Sequence, residues 1–130
     1  MANINKDFIL ELVLETPQYN KRFEILPQER KIVFFKDDRS QPLYLLVHGW
    51  KEEGLTLKLA IANAGNPKHI MEYYPELLGQ PEGQDTHIFK IDLSNEILAN
   101  PNKYEMQAFI LSDNAILSSN ISSFKVKSCL

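Results

Sequence analysis

Cysteine is almost missing from this chain of 130 residues, which contains a single one, Cys129, beside the C-terminus. One cysteine cannot form an internal disulfide, so the sequence excludes the disulfide framework of small secreted domains. The N-terminal residues M-A-N-I-N-K-D also lack the apolar core of a signal peptide. We therefore expect synthesis in the cytoplasm without a signal peptide.

Long apolar runs and an excess of basic residues are absent too. No run approaches the roughly 20 residues that span a bilayer, so we expect no membrane partner. The net charge of −3 and the pI near 5.6 argue against nucleic-acid partners, because proteins that bind nucleic acids usually carry a basic stripe. The hydrophobic content of 44% is ordinary, and this length suits one domain that spans residues 1–130.

The motifs of catalysis and cofactor binding are also missing. The sequence contains no glycine-rich phosphate loop, no nucleophile–base pair and no cofactor fingerprint, so we expect neither an enzyme nor a cofactor. An apolar strand that runs into His48-Gly49 resembles the oxyanion loop of α/β-hydrolases, but no G-x-S-x-G elbow follows. The spacing of His48, His69 and His87 is not that of metal ligands, which predicts no metal site.

The sequence does contain a clear period of two in its apolar residues, interrupted by Asn, Pro, Asp, Gly and Ser. In the segment from Tyr104 to Leu111, one face carries Tyr104, Met106, Ala108 and Ile110. This alternation is typical of antiparallel strands with one buried face. Similar patterns predict strands at Phe8 to Glu15, Lys21 to Leu26, Lys31 to Lys36, Leu43 to Trp50, Leu55 to Ala62 and His87 to Leu93, and a strand that starts back at Ala115 to Ser118.

The spacing of these strands predicts the fold. Leu43 to Ala62 is interpreted as a β-hairpin around the short turn Lys51 to Gly54. Asn63 to Asp85, with three prolines and three glycines, favours either a short helix that begins at Asn66-Pro67 or an extra edge strand. About eight or nine strands result, which predicts an all-β, immunoglobulin-like antiparallel β-sandwich with one long loop.

Tyr104 offers a more specific architectural signal. It begins a strand directly after the polar corner Asn100-Pro101-Asn102. The tyrosine of an immunoglobulin tyrosine corner has the same position. A core-edge aromatic without that role explains the position equally well.

Three aromatic residues, Trp50, Tyr73 and Tyr74, are the candidate ligand- or partner-binding residues. Exposed rings stack on sugars and anchor protein interfaces, because they combine apolar area with a polar edge. Such a platform predicts a carbohydrate-binding module. The alternative, favoured because most aromatic residues are buried, is that these rings cover the hydrophobic core.

The order of several segments is a further feature: K-I-V-F-F-K-D-D-R-S-Q-P-L-Y-L-L-V, then L-T-L-K-L-A-I-A, H-I-F-K-I-D-L, and Tyr104 to Val126 with Ser118-Ser119 and Phe124-Lys125-Val126. From Lys21 to Val126 this order of strands and turns resembles the N-terminal immunoglobulin-like domain of phage baseplate upper proteins. The resemblance implies a non-catalytic structural module that docks on a phage tail or baseplate. Members of that family continue into helical and trimeric regions, so a chain ending at Leu130 is expected to be either an accessory virion or prophage protein or an unrelated protein with the same sandwich.

The first functional hypothesis is therefore a module for protein–protein assembly, acting through strand edges or through Asn63 to Asp85. Its expected partners are phage tail or baseplate proteins and further copies of the chain itself. A carbohydrate-binding module and a small intracellular regulator that binds a host protein are the alternatives.

Overall fold

The computed structural model describes residues 8–15, 22–28, 30–36, 42–50, 54–79, 85–113 and 115–128, without the side chain of Asn95. Cys129 and residues 51–53 of the predicted hairpin turn lie outside this part of the chain. The described residues form these elements: β1 Ile9–Leu14, β2 Phe23–Ile25, β3 Val33–Phe35, β4 Leu43–His48, β5 Thr56–Asn63, β6 Asn66–Tyr73, β7 Glu76–Gly79, β8 Thr86–Ile91, α1 Asn95–Leu98, β9 Asn102–Leu111 and β10 Ile116–Lys127.

The strands pair into two five-stranded sheets, which we call sheet A, in the order β2-β1-β4-β8-β7, and sheet B, in the order β3-β10-β9-β5-β6. The alternation in sequence explains the layers, because each strand directs every second side chain into the space between the sheets. The predicted inward face of β9, from Tyr104 to Ile110, is buried, as are Leu10, Leu12 and Leu14 of β1. The all-β sandwich is therefore confirmed.

The strand order is that of an immunoglobulin-like sandwich. The series β1-β4-β8-β7 faces β10-β9-β5, as strands A-B-E-D face strands G-F-C in that architecture. The described part of the chain has ten strands rather than eight or nine, because β6 and β7 both form in the segment predicted as a long loop.

Two strand pairs differ from the predicted antiparallel arrangement. β1 runs parallel to β4, and β3 runs parallel to β10. A period of two is common to both strand directions, so it could not predict this difference. Parallel neighbours need a long connection, and the chain between β1 and β4 is long enough to contain both β2 and β3.

The predicted hairpin of Leu43 to Ala62 is wrong, because β4 lies in sheet A and β5 in sheet B. β4 ends at His48, and the next residue, Gly49, has a φ of +88°, which favours glycine. A Cβ at Gly49 would lie 2.0 Å from the carbonyl oxygen of Leu14. The N–H groups of Gly49 and Trp50 both donate to the carbonyl oxygen of Asp85, at 3.0 and 3.1 Å. These contacts direct the chain away from the β4 ladder before β5 begins.

The segment from Asn63 to Asp85 forms β6 at the edge of sheet B and β7 at the edge of sheet A. The extra edge strand is confirmed, and the short helix at Asn66-Pro67 is wrong because both residues belong to β6. An edge strand tolerates proline, since one side of its backbone needs no ladder partner. Residues 80–84 lie outside the described part.

Tyr104 forms a tyrosine corner, which is one of the two roles that its position in the sequence allowed. Its hydroxyl donates to the carbonyl oxygen of Asn100 at 2.8 Å and also lies 3.2 Å from that of Ile97. The ring stacks on Phe124 with centroids 5.3 Å apart. Burial raises the pKa of Tyr104, and the nearby Glu96 and Tyr73 raise it further. The corner thereby fixes the crossing from sheet A through α1 to sheet B.

One lateral side of the sandwich, which we call the closed side, consists of β2, β3 and β10. The register of β10 against β9 shifts between Ser118 and Ile121, which marks a β-bulge. There the Asn120 side chain accepts from the N–H of Ile25 at 2.7 Å and donates to the carbonyl of Ile25 at 3.2 Å. The amide thus imitates a neighbouring strand and connects β2 of sheet A to β10 of sheet B.

Candidate interaction surface

The opposite lateral side is formed by one continuous segment, Asn66 to Gly79, which we call the open edge. β6 is the last strand of sheet B, and β7 is the last strand of sheet A. Only Tyr74 and Pro75 separate them, so both sheets end side by side. A terminal strand presents backbone N–H and C=O groups that no neighbouring strand of its own sheet satisfies.

Exposed apolar side chains are concentrated on this open edge. Ile70 is 57% exposed, Tyr74 62%, Leu77 52% and Leu78 49%. These are four of the seven large apolar side chains that are exposed in the described part of the chain, and the other three are spread over β3 and β10. Single exposed apolar residues are normal, whereas a cluster beside open strands indicates an interaction site.

Leu77 and Leu78 owe their exposure to an irregularity in β7. Leu77 pairs with Phe89 of β8 and Gly79 pairs with Ile88, so the register shifts at Leu78. A bulge bends its strand and leaves the extra residue unpaired. Consecutive leucines of a regular strand would point to opposite faces, yet here both are accessible.

Ile70 connects the open edge to an apolar groove on the outer face of sheet B. In the ladder Ile70 lies opposite Ala62, and the small side chains of Ala60 and Ala62 form part of the lining. Ile121 of β10 lines the groove as well. The groove has a volume of about 180 Å³, enough for one or two side chains of a partner.

A charged cluster borders this groove. Lys58 Nζ lies 2.6 Å from a carboxylate oxygen of Glu72 on β6, and 4.9 Å from the ring centroid of Phe109. The hydrogen bond to Glu72 raises the pKa of Lys58. The ammonium group of Lys58 thus lies between Glu72 of β6 and Phe109 of β9. These contacts connect β6 of the open edge to the strands beside it.

The three aromatic residues singled out in the sequence do not form one exposed platform. Trp50 is only 8% exposed and packs edge to face on Phe89, with centroids 5.1 Å apart. Its burial excludes it from stacking on a sugar at the surface. Tyr73 is half-buried, and its hydroxyl donates to the Ser94 hydroxyl at 3.0 Å. Tyr74 alone among the three is exposed, and it belongs to the open edge.

His48 lies at the end of β4, as expected, within a chain of polar contacts. Its Nδ1 is 2.8 Å from Thr86 Oγ1, and its Nε2 is 3.2 Å from Glu11 Oε1. The three residues belong to β4, β8 and β1, so no spacing in the sequence could reveal the contact.

A carboxylate, a histidine and a hydroxyl in this order match the composition of a nucleophilic triad. Catalysis also needs donors aimed at a developing oxyanion and a site from which water is excluded. Thr86 lies within the ladder between β8 and β4, directly opposite His48. The contacts connect three strands on the outer face of sheet A.

The other two histidines lie elsewhere. His69 of β6 contacts Glu96 of α1, with 3.0 Å between Nε2 and Oε1. His87 of β8 packs near Trp50, with ring centroids 6.5 Å apart. Among the described residues, no group of three or more His, Cys, Asp or Glu side chains is arranged to hold a metal ion. In the same part of the chain, no helix is both apolar enough and long enough to span a bilayer.

The strand order, the tyrosine corner and the two packed sheets define an immunoglobulin-like β-sandwich. Neither the scan of protein families nor the search of curated proteins finds a match for the chain. Among solved structures, the chain is similar to the N-terminal domain of phage TP901-1 ORF48, with a TM-score of 0.40 and 11% identity over 92% of this chain and 95% of that chain. Similarity at this level does not establish a shared function.

Proposed function

We propose that this domain is a non-catalytic module for protein–protein assembly and that its open edge is the contact surface. One observation carries the proposal: four exposed apolar side chains lie on the segment where both sheets end. An open strand can pair with a strand of a partner, while apolar side chains beside it supply burial energy. Each fully buried leucine or isoleucine contributes roughly 1.5–3 kcal/mol.

The proposed setting is a phage or prophage tail, where the domain joins other tail or baseplate proteins in the virion. The order of strands and turns from Lys21 to Val126, similar to the N-terminal domain of baseplate upper proteins, supports this setting. The partner is then a tail protein or a further copy of this chain.

Light scattering on the full chain tests this proposal, first alone and then mixed with each tail protein encoded in the same genome. We expect a discrete oligomer or a stoichiometric complex. The double variant Ile70→Lys/Leu77→Lys places two charges on the open edge and should weaken that association at least about 100-fold. A monomer that forms no complex with any of these proteins would contradict the proposal.

Ile116 provides a matched control for this experiment. It is 71% exposed and apolar, but it lies on β10, away from the open edge. Ile116→Lys should therefore leave the measured mass unchanged. Equal loss of association in Ile116→Lys and in the double variant would show that the effect comes from added charge and not from the edge.

The absence of catalysis is part of the same proposal, and the contacts of His48 supply its test. Esterase activity of the pure protein that disappears in both His48→Ala and Thr86→Val would contradict it. We expect no activity above that of a buffer control in any of the three proteins.

A further inference from the structure

A second concave site lies at one end of the sandwich, where the turn between β5 and β6 meets the corner between α1 and β9. It has a volume of about 280 Å³. Its polar lining consists of Asn63, His69, Glu96, Asn100 and Asn102. None of the four exposed apolar side chains of the open edge lines this cavity, but its lining includes His69 and Met71 of β6, so the site borders the proposed assembly surface.

Each of the three asparagines is fixed by a local hydrogen bond through one end of its amide. Asn63 Oδ1 accepts from the N–H of Gly65 at 2.8 Å, and Asn102 Oδ1 accepts from the N–H of Lys103 at 2.8 Å. Asn100 Nδ2 donates to the carbonyl oxygen of Glu96. The other end of each amide therefore remains for a ligand: two NH₂ donors, on Asn63 and Asn102, and one acceptor, on Asn100.

The charges of the lining select the class of ligand. Among the described residues that line the cavity, Glu96 is the single carboxylate and none is Lys or Arg. Glu96 Oε1 already contacts His69 Nε2 at 3.0 Å. An anion would therefore meet the Glu96 carboxylate without a described Lys or Arg in the lining to compensate its charge. A calcium ion needs six to eight oxygen ligands, far more than the free oxygens of Asn100 and Glu96 provide. The lining thus favours a neutral molecule that both donates and accepts hydrogen bonds.

Hydroxyl groups satisfy this requirement, because each one donates once and accepts through two lone pairs. The rest of the lining is less polar and consists of Met71, Pro101 and the corner residue Tyr104. The C–H groups of a sugar ring can pack on such a surface while its hydroxyls reach the amides. We propose that this end cavity binds one monosaccharide unit, a role that does not depend on Trp50, Tyr73 or Tyr74.

Nuclear magnetic resonance of the ¹⁵N-labelled full chain tests the proposal, with glucose, galactose, rhamnose and N-acetylglucosamine as probes at tens of millimolar. We expect at least one sugar to give saturable shifts of the amides at residues 63–65 and 96–104. The absence of saturable shifts with all four probes would overturn the proposal. Shifts that cluster around Tyr73 and Tyr74 and disappear in Tyr74→Ala would also overturn it.

Two nearly isosteric variants make the test specific. Asn102→Asp and Asn63→Asp each retain the oxygen that accepts the local N–H but replace the free NH₂ donor with an acceptor. We expect about 10-fold weaker binding, or more, in either variant. Asn66→Asp adds the same charge on exposed β6 outside the lining and should bind like the wild type. Equal affinity in all four proteins would contradict the assigned site, and unchanged spectra of the sugar-free variants confirm that the fold is intact.

Discussion

The two lateral sides of the sandwich differ in how side chains cover their terminal strands. On the closed side, the amide of Asn120 bonds to both backbone groups of Ile25, and Phe34 of β3 stacks on Phe8 with centroids 4.8 Å apart. On the open edge, β6 and β7 end their sheets, and Ile70, Tyr74, Leu77 and Leu78 remain accessible. Exposed edges are normally blocked, covered or charged. The difference supports the proposal that the open edge binds a partner, whereas side-chain contacts within the chain connect the strands of the closed side.

The largest effect is expected from the aromatic core of the closed side. Phe34 is fully buried, and it also contacts Phe124 edge to face at 5.6 Å between centroids. Phe34→Ala leaves a cavity and should lower the free energy of unfolding by about 3–5 kcal/mol. Leu78→Ala on the open edge is the matched truncation and should change it by less than about 0.5 kcal/mol. Urea denaturation of both variants measures the contrast, and similar losses would contradict the distinction between the two sides.

An intermediate effect is expected at Asn120. Asn120→Ala removes two hydrogen bonds to Ile25 and should cost about 1–3 kcal/mol of unfolding free energy. Because β2 would then lose its connection to β10, the amide of Ile25 should exchange with solvent faster. Asn120→Asp retains the acceptor and should restore protection of that amide in part. Unchanged exchange in Asn120→Ala would show that the closed side does not depend on this side chain.

Tyr104, on the central strand β9, gives a prediction about the pH dependence of stability. The folded state holds the phenol proton more tightly than the unfolded chain, in which the tyrosine pKa is near 10. The stability from this shift is fully present below a pH of about 10 and is lost as pH rises through the folded-state pKa. Tyr104→Phe should cost about 1–3 kcal/mol at neutral pH, because its hydrogen bonds at the corner are lost.

The difference in unfolding free energy between the wild type and Tyr104→Phe should therefore narrow above a pH of about 10. Denaturation curves at neutral and alkaline pH measure it. A difference that stays constant or widens in the alkaline range would contradict the assignment of the raised pKa to the buried corner.

The smallest effect on stability is expected from the edge variant that should have the largest effect on association. Ile70→Lys/Leu77→Lys changes only exposed positions, so the free energy of unfolding should move by less than about 0.5 kcal/mol per site. Thermal unfolding of the isolated variant checks this. A severe loss of stability would mean that Ile70 and Leu77 support the fold itself, and the open edge would then no longer contrast with the closed side.

The sequence predicted what local alternation controls. The inward faces of β1 and β9 followed from a period of two, whereas the place of Tyr104 after a polar turn left a tyrosine corner and a simple core-edge aromatic equally open. Strand direction and sheet membership were not accessible, because β1 and β4 alternate alike whether they run parallel or antiparallel. The separation of β4 from β5 depends on backbone contacts of Gly49 and Trp50 with the distant Asp85.

The candidate surfaces were predicted only in part. Asn63 to Asp85 stood out because its prolines and glycines interrupt the alternation, and it does contain the open edge. Burial, the favoured alternative for the three rings, is found for Trp50, and its packing against Phe89 depends on a strand 39 positions further along the chain. The end cavity combines residues of β5, β6, α1 and β9, so no motif in the sequence could indicate it.

Hydrogen–deuterium exchange on the assembled protein and on the dissociated chain tests the assembly surface most directly. The account predicts that amides of residues 66–79 gain protection on assembly, while those of β2 and β3 exchange at the same rate in both states. Protection that appears on β2 and β3, with residues 66–79 unchanged, would contradict it.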